Sequence, residues 1–358
     1  MLTEYNQSNL LKEINRIRNE IGHDEVSIQI KDIIYDKEEN ELWIITADRP
    51  DKSAIIGKGG WVVGRLREDL NLKSIHVESY GDYISKEYKM NLSLNRINEV
   101  LNEFKNETND FKDTFIALNN LKTILEDKIK NLYVFNFKKY LSSHNFKEAD
   151  KPQAIVALSG GSDSSFSLIL AKKLGFNPIA ISIDPGTIVL PKQFKDNINN
   201  LCKELDVEHE YIKVDYENII KEALSGRVHP CGRCSKVIEE TVLKYGKDNK
   251  IPFVIFGDML ATGSQCITDQ IIDNDEKNKI KRINLPASLS VSKIENKTLN
   301  QEYDLKEIKG FGCPLLYEVH KNHSHMKKYS IQRILRETRS GALEPGQALD
   351  LIWSFYKA

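Results

Sequence analysis

Apolar residues recur along this chain with two periods, and the changes of period divide it. Between residues 3 and 21, Leu10, Leu11, Ile14, Ile17 and Ile21 fall at spacings of three and four, the repeat of a helix with one buried face. Two β-rich runs follow, Val26-Ser27-Ile28-Gln29-Ile30 and Glu41-Leu42-Trp43-Ile44-Ile45-Thr46. The polar turn Asp36-Lys37-Glu38-Glu39-Asn40 between them allows a hairpin. Next come the glycine-rich stretch from Ile55 to Leu66 and the alternating run Ser74-Ile75-His76-Val77-Glu78. The order predicted is helix, strand, strand, helix, glycine turn, helix, strand. From Ser85 to about His144 the period is helical, with Phe111, Phe115, Leu118, Leu121, Leu125, Ile129 and Leu132 along one stripe and a charged, solvated face opposite. Beyond Asp150-Lys151-Pro152, apolar runs at 154–158, 178–183, 207–214 and 253–256 alternate with helical segments. That alternation predicts an α/β domain, a parallel sheet with helices on both faces. Ligands of such sheets bind beyond the carboxyl ends of the strands, where this chain offers Ser159 to Ser165, then Ser182 and Asp184, then Gly257 and Asp258.

A length of 358 residues predicts at least two cores. No apolar run is long enough to span a bilayer and no signal pattern opens the chain, so a cytoplasmic protein without membrane contact is expected. Lys and Arg number 51 against 52 Asp and Glu, so any nucleic-acid surface must be local. The five cysteines do not read as a disulfide framework.

The densest chemistry lies in Ser159-Gly160-Gly161-Ser162-Asp163-Ser164-Ser165, between a strand and a helix start. Adjacent glycines turn the backbone and aim successive N–H groups at an anion, and the helix N-terminus adds positive dipole. A bare helix cap is the plainer reading. The lysine of GxxxxGK[ST] and the spacing of GxGxxG are both absent. The string matches SGGxDS, and here the chain resembles the PP-loop ATP pyrophosphatases. The resemblance implies cleavage of ATP to AMP and pyrophosphate to activate a carbonyl oxygen. It implies that Ser159, Gly160, Gly161, Ser162, Asp163, Ser164 and Ser165 hold ATP with Mg²⁺, that Asp184 and Gly257 complete the nucleotide site, and that Asp163 positions nucleotide and metal.

The elements around Ile55-Ile56-Gly57-Lys58-Gly59-Gly60 resemble a KH domain, whose GxxG loop lies against a nucleic-acid backbone. Gly57, Lys58, Gly59 and Gly60 would form that loop, with Lys52, Arg65, Arg67 and Lys73 within reach of phosphates. A KH-like fold used only for packing is the alternative.

Cys231-Gly232-Arg233-Cys234, followed much later by Cys313-Pro314, resembles the iron–sulphur-dependent tRNA thiolation branch of the same family. There three cysteines hold a [4Fe–4S] cluster whose remaining iron accepts sulphide. A zinc completed by His229, His320, His323 or His325 and a persulphide or redox pair with a lowered thiol pKa are the competing readings. Cys202 and Cys266 read as incidental buried thiols. The match has departures. Family members commonly carry Gly-His-Asn-x-x-Asp where this chain has Gly257-Asp258-Met259-Leu260-Ala261. Many place a base one turn after CxxC, where Ile238 and Glu239 stand and only Lys236 is near. Lys236 or Asp258 is the expected proton-transfer group. The basic segment from His320 to Arg339 reads equally as an RNA footprint or an amphipathic helix.

The expected protein is thus an ATP-dependent tRNA sulphurtransferase. Residues 1–84 would form a KH-like domain, 85–150 a helical connector, 151–290 the PP-loop domain, and 291–358 an extension carrying the third cysteine. Its partners would be tRNA, a sulphide source or sulphur-carrier protein, and possibly a second copy in a homodimer. The alternatives are an RNA-amidating enzyme with structural zinc, sulphur transfer to a small molecule, and a nucleotide-regulated KH protein without catalysis.

Overall fold

The computed structural model describes residues 5–105, 112–271, 279–306 and 310–356. Phe111 of the expected apolar stripe and the first residues of the expected N-terminal helix lie outside them. The chain divides into two compact units, one of residues 1–88 and 132–134, the other of 89–131 and 135–358.

In the first unit, α1 (Gln7–Glu20) is followed by β1 (Ile30–Asp36), β2 (Glu41–Thr46), α2 (Arg49–Ile56), α3 (Trp61–Asp69) and β3 (Ser74–Ser79). The element order is the one read from the sequence, but β1 begins where the expected strand was to end. Strand β1 pairs antiparallel with β2, from Ile30 opposite Thr46 to Asp36 opposite Glu41. Residues 27–29 stay outside this ladder, the Gln29 N–H donating instead to the Asp51 carboxylate. Strand β3 runs parallel to β2 on its other side. Leu10, Ile14 and Ile17 of α1 close the core with Leu42, Ile44, Ile55, Val62 and Leu66.

Helix α4 (Tyr80–Lys105) leads by sequence into the second unit, which continues with α5 (Lys112–Lys130) and α6 (Phe137–Ser143). Then come β4 (Ala154–Ala157), α7 (Ser162–Lys173), β5 (Pro178–Asp184), α8 (Lys192–Glu204), β6 (His209–Lys213), α9 (Glu217–Leu224), α10 (Pro230–Asp248) and β7 (Phe253–Phe256). The chain goes on through β8 (Ile267–Ile271), β9 (Lys279–Asn284), α11 (Leu285–Ser288), α12 (Lys293–Asn300), α13 (Pro314–Asn322), α14 (Lys327–Arg339) and α15 (Pro345–Ser354). The sheet order is β6-β5-β4-β7-β9-β8, parallel throughout except for β8 at the edge. Strands β4 and β7 are buried on both faces, which explains their continuous apolar runs. Strands β8 and β9 escape the sequence reading because Lys279, Lys281 and Arg282 interrupt the second of them; Lys281 is offset by Glu103 and Asp269 at 2.5 and 2.6 Å.

The chain leaves β4 toward β5 and β6 and returns to pair β7 on the other edge of β4. Strand order reverses beside β4, and a crevice opens there beyond the carboxyl ends. No helix among the described residues is long and apolar enough to cross a membrane.

The return from α7 into β5 depends on Gly175, at φ +80°, where an added Cβ would stand 2.2 Å from the Lys147 carbonyl oxygen. Gly175→Ala should therefore destabilise the protein by about 2 kcal/mol or more through left-handed strain and this clash. A denaturant midpoint equal to that of wild type would show that the 147–148 segment yields freely.

Candidate active site

The loop between β4 and α7 is shaped by two missing side chains. Gly160 has φ +73°, and a Cβ there would meet the Phe194 carbonyl oxygen at 2.5 Å; at Gly257, just past β7, a Cβ would lie 2.8 Å from the Asp163 carbonyl carbon. The loop is thus wedged between the start of α8 and the end of β7. Its serines bind one another: the Ser159 N–H donates to Ser164 Oγ at 3.1 Å, and Ser164 Oγ donates to the Gly161 carbonyl at 3.0 Å. Gly161 caps α7 in an extended conformation with no side-chain cap, so the first-turn N–H groups point outward as an anion site does.

The Asp163 carboxylate is the hub of the crevice. Lys293 Nζ donates to both of its oxygens, at 2.7 and 2.6 Å, and Asn296 Nδ2 donates to Oδ1 at 3.0 Å. Asn300 Nδ2 donates to the Ser162 carbonyl at 2.9 Å. Lys293, Asn296 and Asn300 form one inward face of α12, and the sequence reading missed all three. The available signal was the helix start, a capping box between Ser292 and Glu295, followed by polar residues at spacings of three and four. Such a stripe reads as a solvated face until the tertiary fold buries it, as it buries Asn296 to 1 % exposure. Glu295 also takes an ion pair from the buried Lys128 of α5 at 2.5 Å, so α5 helps anchor the helix that carries Lys293.

The other expected nucleotide residues divide. Asp184, at the end of β5, accepts from Lys195 at 2.5 Å and from the Gly186 N–H at 3.1 Å. Burial works against its charge, but these partners outweigh it and hold the carboxyl below its ordinary range. Ser182 is internal, donating to the Leu158 carbonyl at 2.7 Å. Asp258 accepts from the Leu260 N–H at 2.7 Å and faces Arg282 at 3.8 Å. Arg282 also pairs with Glu239 and lies over the Phe256 ring, so a cation from β9 meets the position where a base on α10 was expected. Lys236 does not join the site: it is 75 % exposed and faces Glu240, and at about 100° per residue it stands some 200° around α10 from Cys234.

The CxxC opens α10, Pro230 being the first residue of that helix. Cys313 is the N-cap of α13. Helices α10 and α13 pack against each other, which brings the CxxC and Cys313 into one region. Burial is the main cause pushing Cys231 up to about 11 and Cys234 up to about 12, and it raises Cys313 as well. An activated persulphide or redox thiol requires the opposite direction. Among the described residues no group of three or more His, Cys, Asp and Glu is placed to hold one metal ion, which gives the zinc reading no support. An iron–sulphur cluster spreads its thiolates over separate irons and does not require them to share one. Three cysteines in the first turns of α10 and at the N-cap of α13 supply the residue type such a group takes. Cys202 and Cys266 are buried elsewhere, pushed up to about 12 and 11 by burial.

Beside the thiols, His229 Nε2 and His320 Nε2 both meet Ser330 Oγ, at 3.2 and 3.1 Å. The basic stretch from His320 is therefore partly internal: His320 is buried, and Arg333 Nε donates to the buried Glu337 at 3.1 Å.

In the first unit, Gly57, Gly59 and Gly60 have φ of +72°, +65° and +76°. An added Cβ at Gly57 would strike Val62 at 2.3 Å, whereas at Gly59 and Gly60 it would meet nothing within 4 Å. The loop tip is open, followed by Trp61 at 59 % exposure. The cations around it differ in availability. Lys52 is buried and bonds Glu78 at 2.8 Å, Arg65 pairs with Asp69 at 3.2 Å, and Lys73 with Glu39 at 2.7 Å. Lys58 and Arg67 are exposed.

Residues 153–245 match the model of the QueC family, described as queuosine biosynthesis protein QueC. The chain is 33 % identical over 246 residues to the uncharacterized protein MJ1638 of Methanocaldococcus jannaschii, covering 68 % of this chain and 89 % of that protein. It is 38 % identical over 90 residues to a 7-cyano-7-deazaguanine synthase of Thermoplasma volcanium, 25 % of this chain and 36 % of that one. A solved structure, the U34-tRNA thiolase NcsA from Methanococcus maripaludis with its [4Fe–4S] cluster, aligns at 18 % identity and a TM-score of 0.35 over 65 % of this chain and 80 % of that one. A likeness of that size carries no functional argument.

Burial holds His320 at about 4, with the nearby His229 and Lys327 acting in the same direction. The unfolded imidazole takes a proton near 6.5 and the folded one near 4, so stability is lost as pH falls between these values, by on the order of 2 kcal/mol. In denaturant titrations at pH 7 and pH 4.5, His320→Gln should lose less stability on acidification than wild type. Equal losses would assign the acid sensitivity to other groups.

Proposed function

Because this chain belongs to one family with the uncharacterized M. jannaschii protein MJ1638 and its residues 153–245 match the QueC model, we propose that it is a PP-loop ATP pyrophosphatase acting as an ATP-dependent tRNA thiolation enzyme. One observation carries the reading: a single unit holds the phosphate loop and, at the starts of the two packed helices α10 and α13, the three cysteines. The loop N–H groups and the exposed hydroxyls of Ser159 and Ser162 bind the terminal phosphates with Mg²⁺, while Ser164 and Ser165 are buried behind them and Ser164 bonds the Gly161 carbonyl. Lys293 and Asp163 orient them. A pyrimidine carbonyl oxygen attacks the α-phosphorus, and pyrophosphate leaves with the electron pair of the broken P–O bond. A sulphur nucleophile then adds at the activated carbon, and AMP leaves with the C–O electron pair. Cys231, Cys234 and Cys313 would hold the [4Fe–4S] cluster, which supplies, when bound, an iron without a protein ligand at which sulphide is carried. The first unit is the RNA-binding element, a KH-like module whose open Gly57-Lys58-Gly59-Gly60 loop lies along the RNA backbone. Lys58 and Arg67 are exposed cations, Arg65 and Lys73 are exposed beside their carboxylate partners, and Lys52 is buried against Glu78.

The stretch of 38 % identity to a 7-cyano-7-deazaguanine synthase favours, as a second reading, a small heterocyclic acceptor in place of RNA. Anaerobically purified protein should contain about four irons and four acid-labile sulphides per chain, and each of Cys231→Ala, Cys234→Ala and Cys313→Ala should lose them together with ATP-dependent thionucleoside formation in tRNA. About one zinc and no iron, or full activity in any one variant, would overturn the assignment. AMP release that needs no RNA would move the small-acceptor reading ahead.

A further inference from the structure

A guanidinium stands in the crevice with its nitrogens only half employed. Arg333 Nε donates to Glu337 Oε1 at 3.1 Å. Glu337 is 5 % exposed, and its other oxygen lies 4.0 Å from Lys293 Nζ. The Arg333 guanidinium carbon sits 5.8 Å from the centre of the Phe311 ring. One nitrogen and one ring fix the plane of the group, and its two terminal nitrogens have no partner among the described residues. The side chain is 50 % exposed, yet its surroundings are dense enough for burial to oppose its charge. Its own helix touches both sides of the site: Glu337 lies 4.0 Å from Lys293, which bonds Asp163 at 2.6 Å, and Ser330, one turn before Arg333, meets His229 at 3.2 Å just ahead of the CxxC, so Arg333 stands between the phosphate loop and the CxxC helix.

We propose that Arg333 is the α-phosphate-binding side chain of this crevice, its terminal nitrogens taking the nonbridging oxygens of the nucleotide's α-phosphate. The inference rests on the adenylating reading above and adds to it the residue that holds the group being transferred. The order of groups follows from the chemistry. The loop N–H groups hold the terminal phosphates, the acceptor attacks the α-phosphorus from the side opposite the departing pyrophosphate, and the sulphur must reach the acceptor carbon. Along a line from the loop to the thiols the α-phosphate is therefore in the middle, where Arg333 stands. A planar guanidinium already held by one edge meets two phosphate oxygens with little further ordering. The same phosphate remains with AMP when sulphur displaces it, so the contact serves both halves of the reaction. Glu337 acts through Arg333 and Lys293 and is a positioning residue.

Calorimetric titration of the full-length protein with ATP, AMP, pyrophosphate and adenosine tests this without a cluster or RNA. Arg333→Gln should weaken AMP and ATP by about tenfold or more and leave adenosine and pyrophosphate unchanged, with Arg333→Lys recovering part of the loss. Wild type that binds ATP beside an Arg333→Gln variant with unchanged AMP affinity overturns the inference alone. Loss confined to pyrophosphate overturns it in favour of the terminal phosphates. Wild type that binds neither ATP nor AMP overturns the adenylating reading and this inference with it.

Discussion

The phosphate loop exists because backbone meets backbone where no side chain stands. Gly160 lies against the Phe194 carbonyl and Gly257 against the Asp163 carbonyl, so the loop is held by the start of α8 and the end of β7 together. Both contacts follow from the strand order, which sets β5, the strand before α8, on one side of β4 and β7 on the other. A side chain at either position would push the α7 N-terminus away from the strand ends, and the outward N–H groups and the Asp163 carboxylate would move with it. Rigid elements hold the site, as exact geometry requires.

Charge in the crevice is organised around two carboxylates of different standing. Asp163 is partly open and holds Lys293 and Asn296. Glu337 is buried and anchors Arg333, with Lys293 at the edge of its reach. A buried carboxylate needs cations to offset its desolvation, and this one fixes where the two cations stand. The loop lacks the lysine of GxxxxGK[ST], and the cations paired with these carboxylates come from α12 and α14, well over a hundred residues along the chain. The same α14 carries Ser330, which joins His229 at the start of the CxxC helix to His320, so one C-terminal helix braces both the phosphate side and the thiol side.

Motifs and periods made much of this legible from the residues. Strand β7 falls where its apolar run placed it, and the element order of the first unit emerges from alternation and turn residues. The SGGxDS string located the loop, because glycines and a helix start are local features. Where reading failed, non-local pairing decided. Strand β1 shifted to residues 30–36 because register with β2 selects the ladder, and β9 was hidden by Lys281, whose charge Glu103 and Asp269 offset. Lys236 looked suitable by proximity to CxxC, but helical geometry turns it to solvent.

What the sequence by itself determined is the parallel α/β architecture and the place of the phosphate loop, since hydrophobic period and backbone freedom are properties of neighbouring residues. What only the tertiary structure decided is which charges share the crevice. Lys293, Asn296, Glu337 and Arg333 lie 130 to 174 positions from Asp163, and no local pattern marks a polar helix face as inward. Such a face becomes a site only when packing removes water from it, and that packing depends on the whole fold.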